Sequence, residues 1–126
     1  MKKLIEAARI TKRHAHAPYS KYQVGAAVLT EDDTIICGCN VESSSYGLTC
    51  CAERVAIFSA IAQGYNKFKA LAVITDNGGT PCGACRQVIW DLCGDIPIYI
   101  SDNEGNIEKS TCKKLLPNAF DSSKLK

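Results

Sequence analysis

No run of residues in this chain is long and apolar enough to cross a bilayer, which removes a membrane-spanning helix from consideration. Neither sign of charge dominates: 15 Lys and Arg against 13 Asp and Glu give a formal net charge of +2, spread without a block. A concentrated basic face, the usual footprint of nucleic-acid binding, is therefore not expected. No internal repeat, low-complexity tract or linker divides the sequence, so residues 1–126 are expected to form one domain. That length supports a single core but is small for a complete, water-excluding pocket, which favours oligomerisation. Histidine is scarce. The two present, His14 and His16, precede the chemistry-bearing motifs and are expected to be exposed or hydrogen-bonded locally.

Cysteine is abundant, with eight residues. In a short secreted chain that number suggests a disulfide framework. The first ten residues, MKKLIEAARI, instead place Glu6 and Arg9 where a secretory signal has a continuous apolar stretch. Reduced thiols and a cytoplasmic location are the expectation. Five of the cysteines, Cys37, Cys39, Cys50, Cys93 and Cys112, are expected to act as small buried hydrophobes.

The other three sit in two motifs: Cys51-Ala52-Glu53 and, roughly thirty residues on, Pro81-Cys82-Gly83-Ala84-Cys85. The C-x-x-C spacing lets Cys82 and Cys85 reach one tetrahedral metal, and Cys51 supplies a third sulfur. Three protein ligands leave one position open, the mark of a catalytic zinc site. Glu53, two residues past the first ligand, is placed to move protons without binding the metal. Both motifs fall at expected helix starts, where the dipole and free N–H groups stabilise thiolates. Three thiolates give Zn²⁺ one net negative charge, and Arg54 and Arg86, beside or near the ligands, are expected to donate to the sulfurs and offset it.

The order of elements reads as an α/β layered sheet. A helix over 3–15, apolar at Leu4, Ala7, Ala8 and Ala15, is ended by Pro18. Residues 23–30 and 34–39 form a hairpin around Glu31-Asp32-Asp33, with Gly25 and Gly38 marking bulges or close backbone approaches. A helix over 51–63 carries Val55, Phe58 and Ala62 on one face and stops at Gly64. Its small residues Ala52, Ala56, Ser59 and Ala60 permit close approach of another helix. A buried strand over 71–75, a helix over 82–93 ended by Gly94, strands at 96–101 and near Ile107, and a helical turn over 113–116 follow.

Five ordered motifs, Ser20-Lys21-Tyr22-Gln23-Val24-Gly25-Ala26-Ala27, Asn40-Val41-Glu42, Cys51-Ala52-Glu53-Arg54, Pro81-Cys82-Gly83-Ala84-Cys85-Arg86-Gln87 and Leu115-Leu116-Pro117, span nearly the whole chain. Together they resemble the small cytidine deaminases with a three-cysteine zinc site, within the zinc-dependent nucleobase deaminases. The resemblance implies a three-layer α-β-α sandwich around a mixed five-stranded sheet and one Zn²⁺ per subunit held by Cys51, Cys82 and Cys85. It also implies hydrolytic deamination of cytidine and deoxycytidine, with Glu53 as proton carrier, as a step of pyrimidine salvage. It places Tyr22, Asn40, Glu42 and Ala52 against the nucleoside, with Asn40 and Glu42 on the ribose hydroxyls. Ser44, Ser45 and Tyr46 match a loop that helps build a neighbouring subunit's pocket in homotetrameric members, and Phe120 matches an aromatic that stacks on the base next door. Tyr22 stands where the family usually has Phe, so its hydroxyl needs a partner. The loop over 76–80 is shorter than in some relatives. Alternatives are a deaminase for another aminated heterocycle, such as a nucleoside antibiotic or a cytosine in nucleic acid, and a structural zinc module in which Cys37, Cys39 or Cys50 supplies a fourth thiolate.

Overall fold

The computed structural model describes residues 1–125. Helix α1, Lys2–Lys12, is followed by β1, Gly25–Thr30, and β2, Ile35–Cys39. Helix α2, Ala52–Ala62, leads to β3, Phe68–Ile74, and α3, Gly83–Cys93, to β4, Pro97–Ser101. Strand β5, Ile107–Thr111, and the short α4, Cys112–Leu115, complete the set. The sheet order is β2-β1-β3-β4-β5, with β3 and β4 parallel and every other neighbouring pair antiparallel. The sheet is therefore mixed, as expected, and α3 is the crossover that its one parallel pair requires.

Helices cover both faces. On one side α1 buries Leu4, Ile5 and Ala8 against Ala27, Ala70, Ala72 and Ile74. On the other, Ala56, Ile57 and Ala60 of α2 and Ile89 of α3 pack on Val28, Leu71, Val73, Ile98 and Ile100. Strand β1 lies inside the sheet and is covered on both faces, so its side chains are nearly all buried rather than alternately exposed.

Two expectations for the helices are corrected. Helix α1 ends at Lys12, well before Pro18, because the chain leaves it to pair as backbone: His16 N donates to Asn40 O at 2.9 Å, and Glu42 N donates to His16 O at 2.8 Å. The face of α2 that meets the sheet is Ala52, Ala56, Ile57 and Ala60, not the face read from the spacing of Val55, Phe58 and Ala62, and Phe58 is 45% exposed. A strip of alanines wins because it lets the helix lie almost on the backbone of β2, and the larger side chains turn outward. What the small residues admit is thus a strand. Gly38 is the matching gap: a Cβ there would sit 2.4 Å from Ala56 N and 2.6 Å from Ala52 O. Gly25 plays the same part under α1, where a Cβ would fall 2.0 Å from Ala8 O. Both glycines mark close approaches, and the one register shift in the β1–β3 pairing lies elsewhere, between Leu29 and Thr30. Gly64 and Gly94 stop α2 and α3 as expected, with φ of 97° and 76°.

The contact at Gly38 fixes where α2 begins, and so where Cys51 and Glu53 lie. Gly38→Ala is expected to lower unfolding free energy by about 2–3 kcal/mol, the scale of overpacking. Gly47→Ala, where an added Cβ meets nothing within 4 Å, should change it by less than about 0.5 kcal/mol. Urea titration of both variants checks the pair, and equal midpoints would remove the Gly38 contact as a determinant of the helix position.

Candidate metal centre and active site

Cys51 and Cys82 are the N-cap residues of α2 and α3, and neither side chain is spent on a capping hydrogen bond. Cys85 lies one turn into α3 and is fully buried. The three sulfurs lie within 4.8 Å of one another, with Cys51 Sγ and Cys82 Sγ 3.9 Å apart. Zinc–sulfur bonds of about 2.3 Å at tetrahedral angles call for sulfurs about 3.8 Å apart, so the donor set fits zinc in both chemistry and spacing. Among the described residues no fourth His, Cys, Asp or Glu joins the cluster. Cys37 instead turns its thiol toward Ala7 O of α1, on the opposite face of the sheet from α2. A closed four-thiolate site is not assembled, and the structural-module alternative loses its ligand.

Electrostatics at the cluster follow from two neighbours. The Cys51 thiol is held well below its ordinary pKa by hydrogen bonding from the Cys85 thiol and from Arg54. Cys85 is shifted the opposite way, chiefly because it is the donor of that bond, and burial adds to the shift. Arg54 donates through Nη2 to Cys51 Sγ at 3.3 Å, as expected for charge compensation. Arg86 does otherwise: Nε donates to Pro81 O at 2.7 Å, Nη1 to Leu115 O at 2.7 Å and Nη2 to Thr80 Oγ1 at 2.8 Å. The expected donation to a thiolate is absent from its bonds. A planar fork that already satisfies three acceptors serves here as a brace between the ligand loop and the Leu115-Leu116-Pro117 segment. Glu53 is 4% exposed, and burial pushes its carboxyl up to about 7.

Glu53, Cys51 and Cys82 open on a cavity of about 250 Å³ that Tyr22, Asn40 and Glu42 also line. It lies beyond the carboxyl end of β3, where Val73, Thr75, Gly79 and Thr80 form one wall. Open α/β sheets place their ligands at that end of their strands. Asn40 and Glu42, two residues apart in extended chain and so on the same side of it, reach the same cavity, and both also build its wall. Asn40 Oδ1 accepts from Val24 N at 2.9 Å and its Nδ2 donates to Tyr22 O at 2.8 Å. Glu42 accepts from Tyr19 N, Ser20 N and Ser20 Oγ, and the Ser20 hydroxyl holds its carboxyl below the usual range.

A sequence profile described as the cytidine and deoxycytidylate deaminase zinc-binding region matches residues 1–99. The chain belongs to that deaminase family. A cytidine deaminase of Sporosarcina psychrophila is 50% identical over 128 residues, covering 99% of this chain and 94% of that one. One of Halalkalibacterium halodurans is 46% identical over 120 residues, covering 93% and 91%. The 1.6 Å crystal structure of cytidine deaminase from Burkholderia pseudomallei superposes with a TM-score of 0.91 at 45% identity, covering 94% of this chain and 98% of that one. The three-layer arrangement expected from the motifs is thus the fold of solved deaminases, and the family is a zinc-binding one.

Other residues expected at the deaminase site are placed less directly. The side chain of Ala52 lies in the core, and Ala52 does not line the cavity between its neighbours Cys51 and Glu53. Tyr46, 77% exposed, lines a neighbouring hollow that shares Ser20, Glu42 and Thr49 with the main cavity, and it meets Tyr19 edge-on at 6.3 Å. Ser44 is exposed beside it. Phe120 is 56% exposed although its own carbonyl is tied down by Gln87 Nε2 at 2.7 Å. It therefore does not dock on its own core. Thr49, Thr75 and Thr80 were missing from the sequence expectation, since lone threonines in loops carry no spacing signal. His14 and His16 are exposed, as expected. Of the five spare cysteines only Cys112 is fully buried, while Cys37, Cys39, Cys50 and Cys93 are partly exposed.

Thiol chemistry separates ligands from bystanders. Burial pushes Cys93 up to about 12 and Cys112 up to about 11, so both stay protonated and slow at pH 8. Exposed Cys82 should be alkylated by iodoacetamide in chelator-treated protein and protected after zinc is restored, whereas Cys93 and Cys112 stay silent in both states. Peptide mass mapping reads the outcome, and unprotected Cys82 in zinc-loaded protein would remove it from the ligand set.

Proposed function

We propose that this protein hydrolyses cytidine and deoxycytidine at C4, one water entering and ammonia leaving, to give uridine and deoxyuridine. The observation that carries the proposal is a buried Glu53 two residues from Cys51, opening with two of the three sulfur ligands on one cavity. Cys51, Cys82 and Cys85 would hold Zn²⁺, which would supply a bound water with a pKa brought near neutrality. A carboxyl raised to about 7 is poised to take a proton and release it again at neutral pH. Glu53 accepts one water proton and passes it to ring N3, then takes the second proton from the hydroxyl bonded at C4 and delivers it to the departing amino group, which leaves as ammonia. One carboxyl performs both acid and base steps because the transfers occur in sequence.

Asn40 and Glu42 face the ribose hydroxyls, which favours a nucleoside over the free base. Tyr22 packs against the pyrimidine. Arg54 draws charge from Cys51, offsetting the extra thiolate relative to a one-histidine, two-cysteine set.

The assembly is a homotetramer. A cavity of about 250 Å³ is just under the range of roughly 300–1,000 Å³ usual for ligand pockets, and Phe120, Ser44 and Tyr46 stand exposed near open surface where a neighbour completes the site. The outward apolar residues of α2, Phe58 and Ile61, supply contact area. Eight unpaired thiols accord with the reducing cytoplasm, and no helix among the described residues is long and apolar enough to cross a membrane.

Glu53→Gln should keep its zinc by metal analysis and lose on the order of 10²–10⁴-fold in kcat for cytidine, followed by the fall in absorbance. A zinc-loaded wild type inert toward both nucleosides would sink the substrate assignment. Sedimentation should show a tetramer, and a fully active monomer would eliminate the cross-subunit role of Phe120.

A further inference from the structure

Tyr22 answers the question its hydroxyl raises. The Tyr22 hydroxyl donates to Asn77 Oδ1 at 2.8 Å, across the gap between the segment leading into β1 and the loop between β3 and α3. The same Oδ1 also accepts from Gly79 N at 3.2 Å, and Gly79 N reaches Thr75 Oγ1 at 2.8 Å. The loop is shaped around this hydroxyl: a Cβ on Gly79 would stand 2.6 Å from the Tyr22 oxygen. At its other end Tyr22 is fastened through its main chain, its N–H to Ser20 Oγ at 3.0 Å and its carbonyl to Asn40 Nδ2 at 2.8 Å. Ser20 and Asn40 belong to the wall that holds Glu42, and the loop beyond Gly79 runs through Thr80 and Pro81 into Cys82.

We propose that Asn77 is a positioning residue that acts through the Tyr22 hydroxyl, locking the aromatic wall of the pocket and the 76–80 loop into one unit. The Tyr22 side chain is a strut between the sugar side of the cavity and the loop that carries a metal ligand. A phenylalanine at position 22 keeps the ring but cuts the strut. Lys12 and Asn103 hold the same loop from outside, at Asp76 Oδ1, with distances of 2.5 Å and 2.6 Å. That anchor fixes the loop to α1 and to the β4–β5 turn but not to the ring. Without the strut, the ring and loop must be ordered by the substrate, a cost that falls on binding.

The role as a pocket wall rests on the cytidine assignment above, so the test has one arm that needs turnover and one that does not. In zinc-loaded protein, Tyr22→Phe and Asn77→Ala should each raise KM for cytidine about fivefold, the scale of one neutral hydrogen bond, and the double variant should raise it no further. Asn77→Asp, which keeps the accepting oxygen, should recover most of the loss. Multiplying effects in the double variant would overturn the proposal. Amide exchange at Gly79 in zinc-loaded, substrate-free protein should be faster in Tyr22→Phe, a substitution that alters no residue of the loop. Unchanged exchange overturns the proposal whatever cytidine does, whereas faster exchange without cytidine turnover supports the strut and strikes the substrate assignment instead.

Discussion

Three sulfurs carried by two helix starts have to meet within one tetrahedron, and the geometry of the layers is what brings them there. Helix α2 can begin where it does only because Gly38 lets Ala52 and Ala56 rest on the backbone of β2. Helix α3 begins where it does because β3 and β4 run parallel and need a crossover, so its first turn returns to the carboxyl end of β3. Each constraint places one cysteine at an N-cap, and Cys85 follows from the turn of the helix. The metal site is thus an outcome of close backbone packing as much as of its ligands.

The same packing sets the electrostatics. Glu53 is dry because it lies on the sheet-facing side of α2, and dryness is what lifts its carboxyl toward neutrality. Cys51, two residues earlier, is half-buried and accepts from the Cys85 thiol and from Arg54, and its shift is downward. Two acids two residues apart are driven in opposite directions, Glu53 by burial and Cys51 by donors from Cys85 and Arg54. This separation of roles is the pattern expected where one group binds a cation and the other carries a proton.

Much of the site was legible from residue spacing. Local spacing pairs Cys82 with Cys85 and Cys51 with Glu53, and residues two apart in extended chain put Asn40 and Glu42 on one cavity, while the meeting of Cys51 with Cys82, 31 residues on, belongs to the fold. The helix faces were less legible: Val55 and Phe58 have the period of a core face, yet the alanines won, because closeness to a strand outweighed side-chain size once Gly38 was opposite. Nothing local distinguished Arg86 from Arg54. Arg54 lies three residues past its sulfur on the same helix, whereas the bonds of Arg86 reach Leu115, 29 residues away, a tertiary fact. Asn77 was invisible for the same reason, since its partner Tyr22 lies 55 residues earlier.

The bridges in which His16 meets Val41 and Val41 meets Cys50 are main-chain pairings, with Val41 and Cys50 exchanging both N–H to O bonds at 2.9 Å. Peptide groups are alike at every residue except proline, which lacks the donor. The segment that delivers Cys51 is consequently anchored by a grip that does not inspect side chains. Positions 16, 41 and 50 are free to drift in sequence while the first ligand stays in place, and the thiol of Cys50 is a passenger on a backbone whose work is done by its amide.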